Sequence, residues 1–180
     1  MEGTEYWMGR NCGVTFAGIK PASLLSIKFE EVEQAARIAS CFLQRGIFFL
    51  CLKRCRTRCV MLVYRKSALQ SILFAQENKK FLQECGYTYT TVEEALRELK
   101  KRMQTDDFPH EIGIFLGYPL CDVKGFLRSP HEGIQLCGYW KVYDDAEGAA
   151  KKFDRFRKCS ACICKRMQQG ESLANIFRVG

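Results

Sequence analysis

The chain has 180 residues, 47% of them hydrophobic and 27% charged, with 28 Lys and Arg against 20 Asp and Glu for a net charge of +8. That is the profile of one soluble globular domain, long enough to bury a core without disulfides or metal. It excludes a disordered chain, a collagen-like chain and a simple coiled coil.

Taken in chain order, Asn11 to Pro21 reads as an irregular N-terminal segment, and Ala22 to Phe29 as a first strand. Glu30 to Arg45 reads as a helix, because Val32, Ala35, Ala36, Ala39, Phe42 and Leu43 recur at helical spacing and Gly46 is placed to end it. The apolar runs Ile47 to Lys53 and Cys59 to Arg65 predict a hairpin whose tip, Arg54 to Arg58, is basic. Lys66 to Phe74 and Asn78 to Cys85 predict short helices. Thr91-Val92-Glu93-Glu94 is a capping-box start for a helix with Val92, Leu96, Leu99 and Met103 on one side and the pairs Glu93/Arg97 and Glu98/Arg102 on the others. His110 to Gly117 reads as a buried strand and Asp122 to Leu127 as a short helix. Gln135 to Tyr143 reads as a further strand, followed by a helix capped by Asp144 or Asp145 and continuing or kinking through Cys159 to Met167. Gly170 stops it, and Ser172 caps a last short helix through Phe177. The order βαββαααβαβαα predicts a layered α/β or α+β fold, one domain over residues 1–180, with a mixed β-sheet of about five strands.

Eleven cysteines are an odd number, at a density below that of a small secreted disulfide scaffold. The chain opens Met1-Glu2-Gly3-Thr4 without a basic and apolar leader, and the run Ile47 to Leu52 is far too short to span a bilayer. A cytoplasmic protein with reduced thiols, and no membrane association, is the expectation. Between Gln34 and Gln76 lie eight basic residues and no acidic one. Such a surface suits an acidic protein or an anionic ligand. Nucleic acid is not expected, because no nucleic-acid motif accompanies the charge.

Four segments carry residues suited to chemistry. In Phe108 to Pro119, a strand would put Glu111 on one face with Gly113 and Gly117, leaving room for a ligand, with His110 and Glu111 at the rim. The plain alternative is tight helix-on-sheet packing. In Cys159-Ser-Ala-Cys162-Ile-Cys164, the Cys-x-x-Cys spacing suits zinc, iron–sulfur or redox work, but no second pair of that kind completes it, and each cysteine alone reads as a small buried hydrophobe. In Cys137 to Tyr143, a strand would set Lys141 between Tyr139 and Tyr143, where it could bind an anion or form an ordinary outer sheet face. Cys12, ahead of Gly13 and Gly18, could be a reactive thiolate if cations or helix N-termini surround it.

Those residues carry a resemblance. Cys12 to Leu24, Val63-Tyr64-Arg65, Phe108 to Phe126, Cys137 to Tyr143 and the Cys159 region resemble DUF3793, a bacterial family of unknown function typical of anaerobic, clostridia-like bacteria. The resemblance covers nearly the whole chain and implies no reaction. It implies that Cys12, Cys137, Cys159 and Cys164 fall at family cysteine positions, while Cys41, Cys51, Cys55, Cys59, Cys85, Cys121 and Cys162 are peculiar to this chain. Where the family reads Tyr-Gly-Asp, this chain has Tyr143-Asp144-Asp145.

Three functions follow as expectations. Placed first is a thiolate-based metal or redox-cofactor protein, with Cys137, Cys159 and Cys164, joined by Cys12 and His110, holding zinc, iron–sulfur or haem iron. The second is a thiol enzyme with Cys12 as nucleophile, His110 as base and Glu111 or Asp122 as orienting acid; Gly113, Gly117 and Lys141 are the candidate cofactor-binding residues. The third is a binding module that docks an acidic partner through Arg54 to Lys66.

Overall fold

The structure, a computed structural model, describes residues 3–179. Three strands, β1 (Ala22–Lys28), β2 (Ile47–Arg54) and β3 (Arg58–Arg65), form an antiparallel sheet in the order β1-β3-β2. Alternation along the strands sends two different apolar sets to the two faces. Leu25, Ile27, Cys59 and Val63 point to one side. Ala22, Leu24, Leu62 and Tyr64 point to the other. Both faces are therefore covered by helices.

On the first face lie α1 (Thr4–Phe16), α2 (Val32–Phe42), α8 (Ala146–Gln168) and α9 (Leu173–Phe177). On the second lie α3 (Lys66–Leu73), α4 (Gln76–Glu84), α5 (Val92–Arg102), α6 (Ile112–Phe115) and α7 (Leu120–Arg128). A small ribbon, β4 (Leu136–Cys137) paired with β5 (Lys141–Val142), sits apart and shares a third apolar cluster with α1 and α8.

Most elements lie where the sequence pattern puts them. Gly46 ends the α2 region in a left-handed conformation at φ 68°, and the basic hairpin forms, its register shifting by one residue between Cys51 and Lys53. At α5, Thr91 Oγ1 accepts from Glu94 N–H while Glu94 accepts from Thr91 N–H, which is the capping box. Val92, Leu96, Leu99 and Met103 are all buried, and Glu98 pairs with Arg102 at 3.3 Å. Glu93 instead pairs with Lys66. Asp145 is the residue that caps α8, and Ser172 caps α9.

The α+β class stands, but four expectations are corrected. The N-terminal segment is helical as far as Phe16, and only Ala17 to Pro21 is irregular. Met8, Cys12 and Phe16 form its buried stripe, and Gly9 and Gly13 let α8 approach so closely that Met167 and Ile163 occupy the space of a Cβ. Those glycines weaken the helical signal in the sequence. Residues 110–117 are not a strand. Ile112, Gly113, Ile114, Phe115 and Leu116 are all buried, and an apolar run buried on every side carries no period to tell a helical turn from a strand. Gln135 to Tyr143 is not one strand either. It folds at Gly138-Tyr139, where the ring of Phe153 fills the position of a Gly138 Cβ. With those two strands gone, the sheet has three antiparallel strands plus a separate ribbon, not about five mixed ones.

α6 closes with a Schellman motif: Gly117 N–H donates to Ile114 O at 3.0 Å and Tyr118 N–H to Gly113 O at 2.9 Å, with Gly117 at φ 78°. A Cβ on Gly117 would lie 2.5 Å from Pro21 Cγ. Gly117→Ala should therefore destabilise by about 2–4 kcal/mol, from left-handed strain plus overpacking. Gly86→Ala, whose Cβ would meet only the flexible end of Arg102, should cost less. Urea midpoints with unchanged slopes test this ordering.

Candidate functional site

Three loops meet at the open edge of β1. After α1, Gly18 at φ 73° reverses the chain, and Ile19-Lys20-Pro21 leads into the strand. After α6, the Gly117 turn delivers Tyr118. The β4–β5 ribbon brings in Trp140, whose ring stacks on Tyr118 at 4.9 Å and meets Phe153 edge-on at 4.5 Å.

Asp122, on α7 and 3% exposed, fixes this arrangement. Its Oδ2 accepts from Trp140 Nε1–H at 2.7 Å, and its Oδ1 accepts from Tyr143 N–H at 2.7 Å. Each oxygen of the buried carboxylate has a donor, and these bonds tie the ribbon to α7.

Two cavities flank the stacked pair, and Leu116 and Trp140 border both. The first encloses about 330 Å³ between Leu24, Ile112, Val123 and Phe126, with His110 and Lys141 beside them. His110 is exposed and lies between the rings of Phe108 (5.3 Å) and Phe126 (4.8 Å). Lys141 Nζ donates to Pro130 O at 2.7 Å and lies 5.5 Å from the Phe126 centroid. The second cavity, about 220 Å³, is lined by Lys20, Gly117, Lys152, Arg155 and Phe156.

The structure brings His110, Gly113 and Lys141 to the first cavity and Gly117 to the second. The space beside the two glycines is largely filled, Gly113 by Val123 and Tyr118, Gly117 by Pro21. Glu111 faces elsewhere. Its carboxylate accepts from Tyr87 Oη–H at 3.0 Å and from Arg102 Nη1 at 3.4 Å, and Arg102 lies over the Tyr87 ring at 4.3 Å. Burial, with Glu111 beside it, pushes the Tyr87 hydroxyl pKa well up, so Tyr87 is held as a neutral donor.

Cys12 is fully buried in the core on the sheet face opposite the one that carries Glu111's partner Tyr87. Burial pushes its thiol up to about 12 despite Lys20 nearby, the reverse of an activated nucleophile. Cys137 is exposed on β4 beside Tyr139 and Arg157. Cys159 and Cys164 are half-buried on α8, and five residues of helix turn them about 140° apart. Burial, with Cys162 nearby, raises the Cys159 thiol. Among the described residues, no group of three or more His, Cys, Asp or Glu side chains could hold a metal ion.

The basic run is largely occupied within the molecule. Arg45, Lys53, Arg58 and Arg65 donate to backbone carbonyls of Arg178, Thr105, Ser26 and Phe16, and Lys66 pairs with Glu93. Arg54 and Arg56 stay exposed at the hairpin tip. No helix among the described residues is long and apolar enough to cross a membrane.

The residues that sequence reasoning passed over are Lys20, Tyr118 and Trp140, and Asp122 entered it only as an alternative orienting acid. The signal for Lys20 was Gly18-x-Lys20-Pro21, a lysine held between a chain reversal and a strand start.

Fold and site together define an α+β protein with two adjoining cavities at a sheet edge. It belongs to the family described as protein of unknown function (DUF3793), whose family model matches residues 8–177. No curated protein and no solved structure matches the chain. Three of the segments that carry the family resemblance, Cys12 to Leu24, Phe108 to Phe126 and Cys137 to Tyr143, converge around these cavities.

Asp122→Asn must turn its amide nitrogen toward one of the two N–H donors. It should lower stability by about 1–3 kcal/mol and reduce the near-UV circular dichroism of Trp140. Urea unfolding and the spectrum check both.

Proposed function

We propose that the protein is a binding domain for a small organic ligand whose planar apolar part fills the cavity beside Tyr118 and Trp140. The carrying observation is the cavity itself: about 330 Å³, walled by aliphatic and aromatic side chains, with His110 and Lys141 as its polar neighbours. That size and make-up suit a small-molecule site, in which apolar walls supply affinity and a few polar groups fix orientation. The one carboxylate there, Asp122, already holds two donors, and His110 lies against two rings. The polar groups thus suit recognition better than proton transfer. A thiolate-held metal or redox cofactor, the function that the cysteine pattern favours, has no converging ligand set among the described residues to support it.

Indole is a suitable probe. Titrated into methyl-labelled protein, it should saturate one site and shift the methyls of Leu24, Ile112, Leu116 and Val123. Val123→Phe, which fills the cavity, and Phe126→Ala, which removes a wall, should each weaken binding about tenfold. Shifts confined to the groove of Val32, Leu43 and Met61, or no saturation, would contradict the proposal.

A further inference from the structure

Lys20 is 9% exposed, and its ammonium has no carboxylate partner and no hydrogen-bond acceptor among the described residues. Its side-chain neighbours are the face of Tyr118, at 5.3 Å, and the thiol of Cys12. Its backbone is anchored, with Ile19 N–H and Lys20 N–H both donating to Val14 O. The stem of the side chain is buried, while the unpaired ammonium stays open at the cavity that Lys20 lines, where an anion would replace the hydration it has partly lost.

Across the cavity, α8 presents Lys152 and Arg155, one turn apart and on the same helix face. Neither forms an ion pair among the described residues, although α8 pairs Lys151 with Glu147 and both Arg157 and Lys158 with Asp154. Lys152, Arg155 and, a good two turns further along, Lys165 are the α8 cations left without an ion pair among the described residues, and the first two line the cavity. No carboxylate lines it, and Trp140 and Phe156 supply its apolar walls.

We propose that this cavity binds the phosphate group of a small molecule, held as a dianion by Lys20, Lys152 and Arg155, with Trp140 and Phe156 against the carbon atoms that follow. Three cations match a dianion better than a single carboxylate charge, and a guanidinium beside an ammonium offers forked and point donors together. The recess around Lys20 suits a small molecule rather than a polymer backbone. The site stands on its own residues and does not depend on what fills the apolar cavity.

The titration of Lys20 gives the site a pH signature. Burial lowers its pKa to about 8, opposed only in part by Cys12. A bound dianion favours the protonated amine, so binding takes up a proton above that pH and weakens as pH rises. The other titratable groups facing it are Cys12 on α1 and Tyr118, both raised by burial, with Lys152 and Arg155 on α8.

Calorimetric titration with inorganic phosphate, phenyl phosphate and benzoate at low salt tests the proposal on the full chain. Phenyl phosphate should bind at one site at pH 7.5, more tightly than benzoate, and on the order of tenfold more weakly at pH 9.5, where it is still a dianion. Lys20→Met should weaken binding at least about tenfold and Arg155→Gln several-fold. Arg157→Gln, on the same helix but paired with Asp154 and outside the cavity, should leave it unchanged. If Lys20→Met fails to fold, the surface pair Lys152→Gln with Arg155→Gln carries the test. Absence of saturable binding at millimolar phosphate, binding indifferent to these substitutions, or benzoate bound as tightly as phenyl phosphate would overturn the proposal.

Discussion

The carboxylate of Asp122 is the interaction on which the site depends. The β4–β5 ribbon has two residues in each strand, and a hairpin that small is not stable in water by itself. It is held because Asp122 takes the indole N–H of Trp140 and the backbone N–H of Tyr143, while Phe153 and Tyr118 clamp the Trp140 ring. Trp140 is in turn the wall between the two cavities. A buried carboxylate with each oxygen engaged is costly to rearrange, since any movement leaves a charge or a donor without a partner. The cavities thus inherit rigidity from a bond made about 20 residues away along the chain.

The second organising feature is how the molecule spends its positive charge. A net charge of +8 suggests a broadly basic surface. Much of the basic run from Arg37 to Lys66 instead satisfies backbone carbonyls. Arg58 braces β1 through Ser26, and Arg65 reaches the end of α1 at Phe16. Those arginines are structural donors, suited to the task by the guanidinium's several N–H groups. Lys20, Lys152 and Arg155 are different, because they face a cavity and each other with no acid between them. Charge counted along the sequence does not separate the two uses.

How far the fold was legible follows from the kind of signal each element carries. α2, α5 and the β2–β3 hairpin have one buried side, so their periodicity is visible, and Thr91, Glu94 and Gly46 mark their ends by local chemistry. The segment from Glu111 to Leu116 is buried on every side, and α1 is broken up by glycines that serve α8. In both, tertiary packing decides the conformation, and a local pattern does not contain it. The site shows the same division. His110, Gly113, Gly117 and Lys141 were visible as chemistry-bearing residues and do reach the cavities, whereas Glu111 turned out to belong to a structural network with Tyr87 and Arg102. The cysteines were the most conspicuous signal in the sequence, yet Cys12, Cys137, Cys159 and Cys164 are set apart by burial, helix phase and strand position. Lys20 was inconspicuous because its distinguishing property is burial without a partner, which only the assembled core creates.

Hydrogen exchange of the two indole N–H groups, followed by NMR, tests the central role of Asp122 most directly. Trp7 donates to Ser26 O from a ring 36% exposed, while Trp140 donates to buried Asp122. The Trp140 Nε1–H should exchange only with global unfolding, orders of magnitude more slowly than that of Trp7. Exchange of the Trp140 proton as fast as that of Trp7 would mean that the ribbon opens independently of the core, and that Asp122 does not hold the two cavities in place.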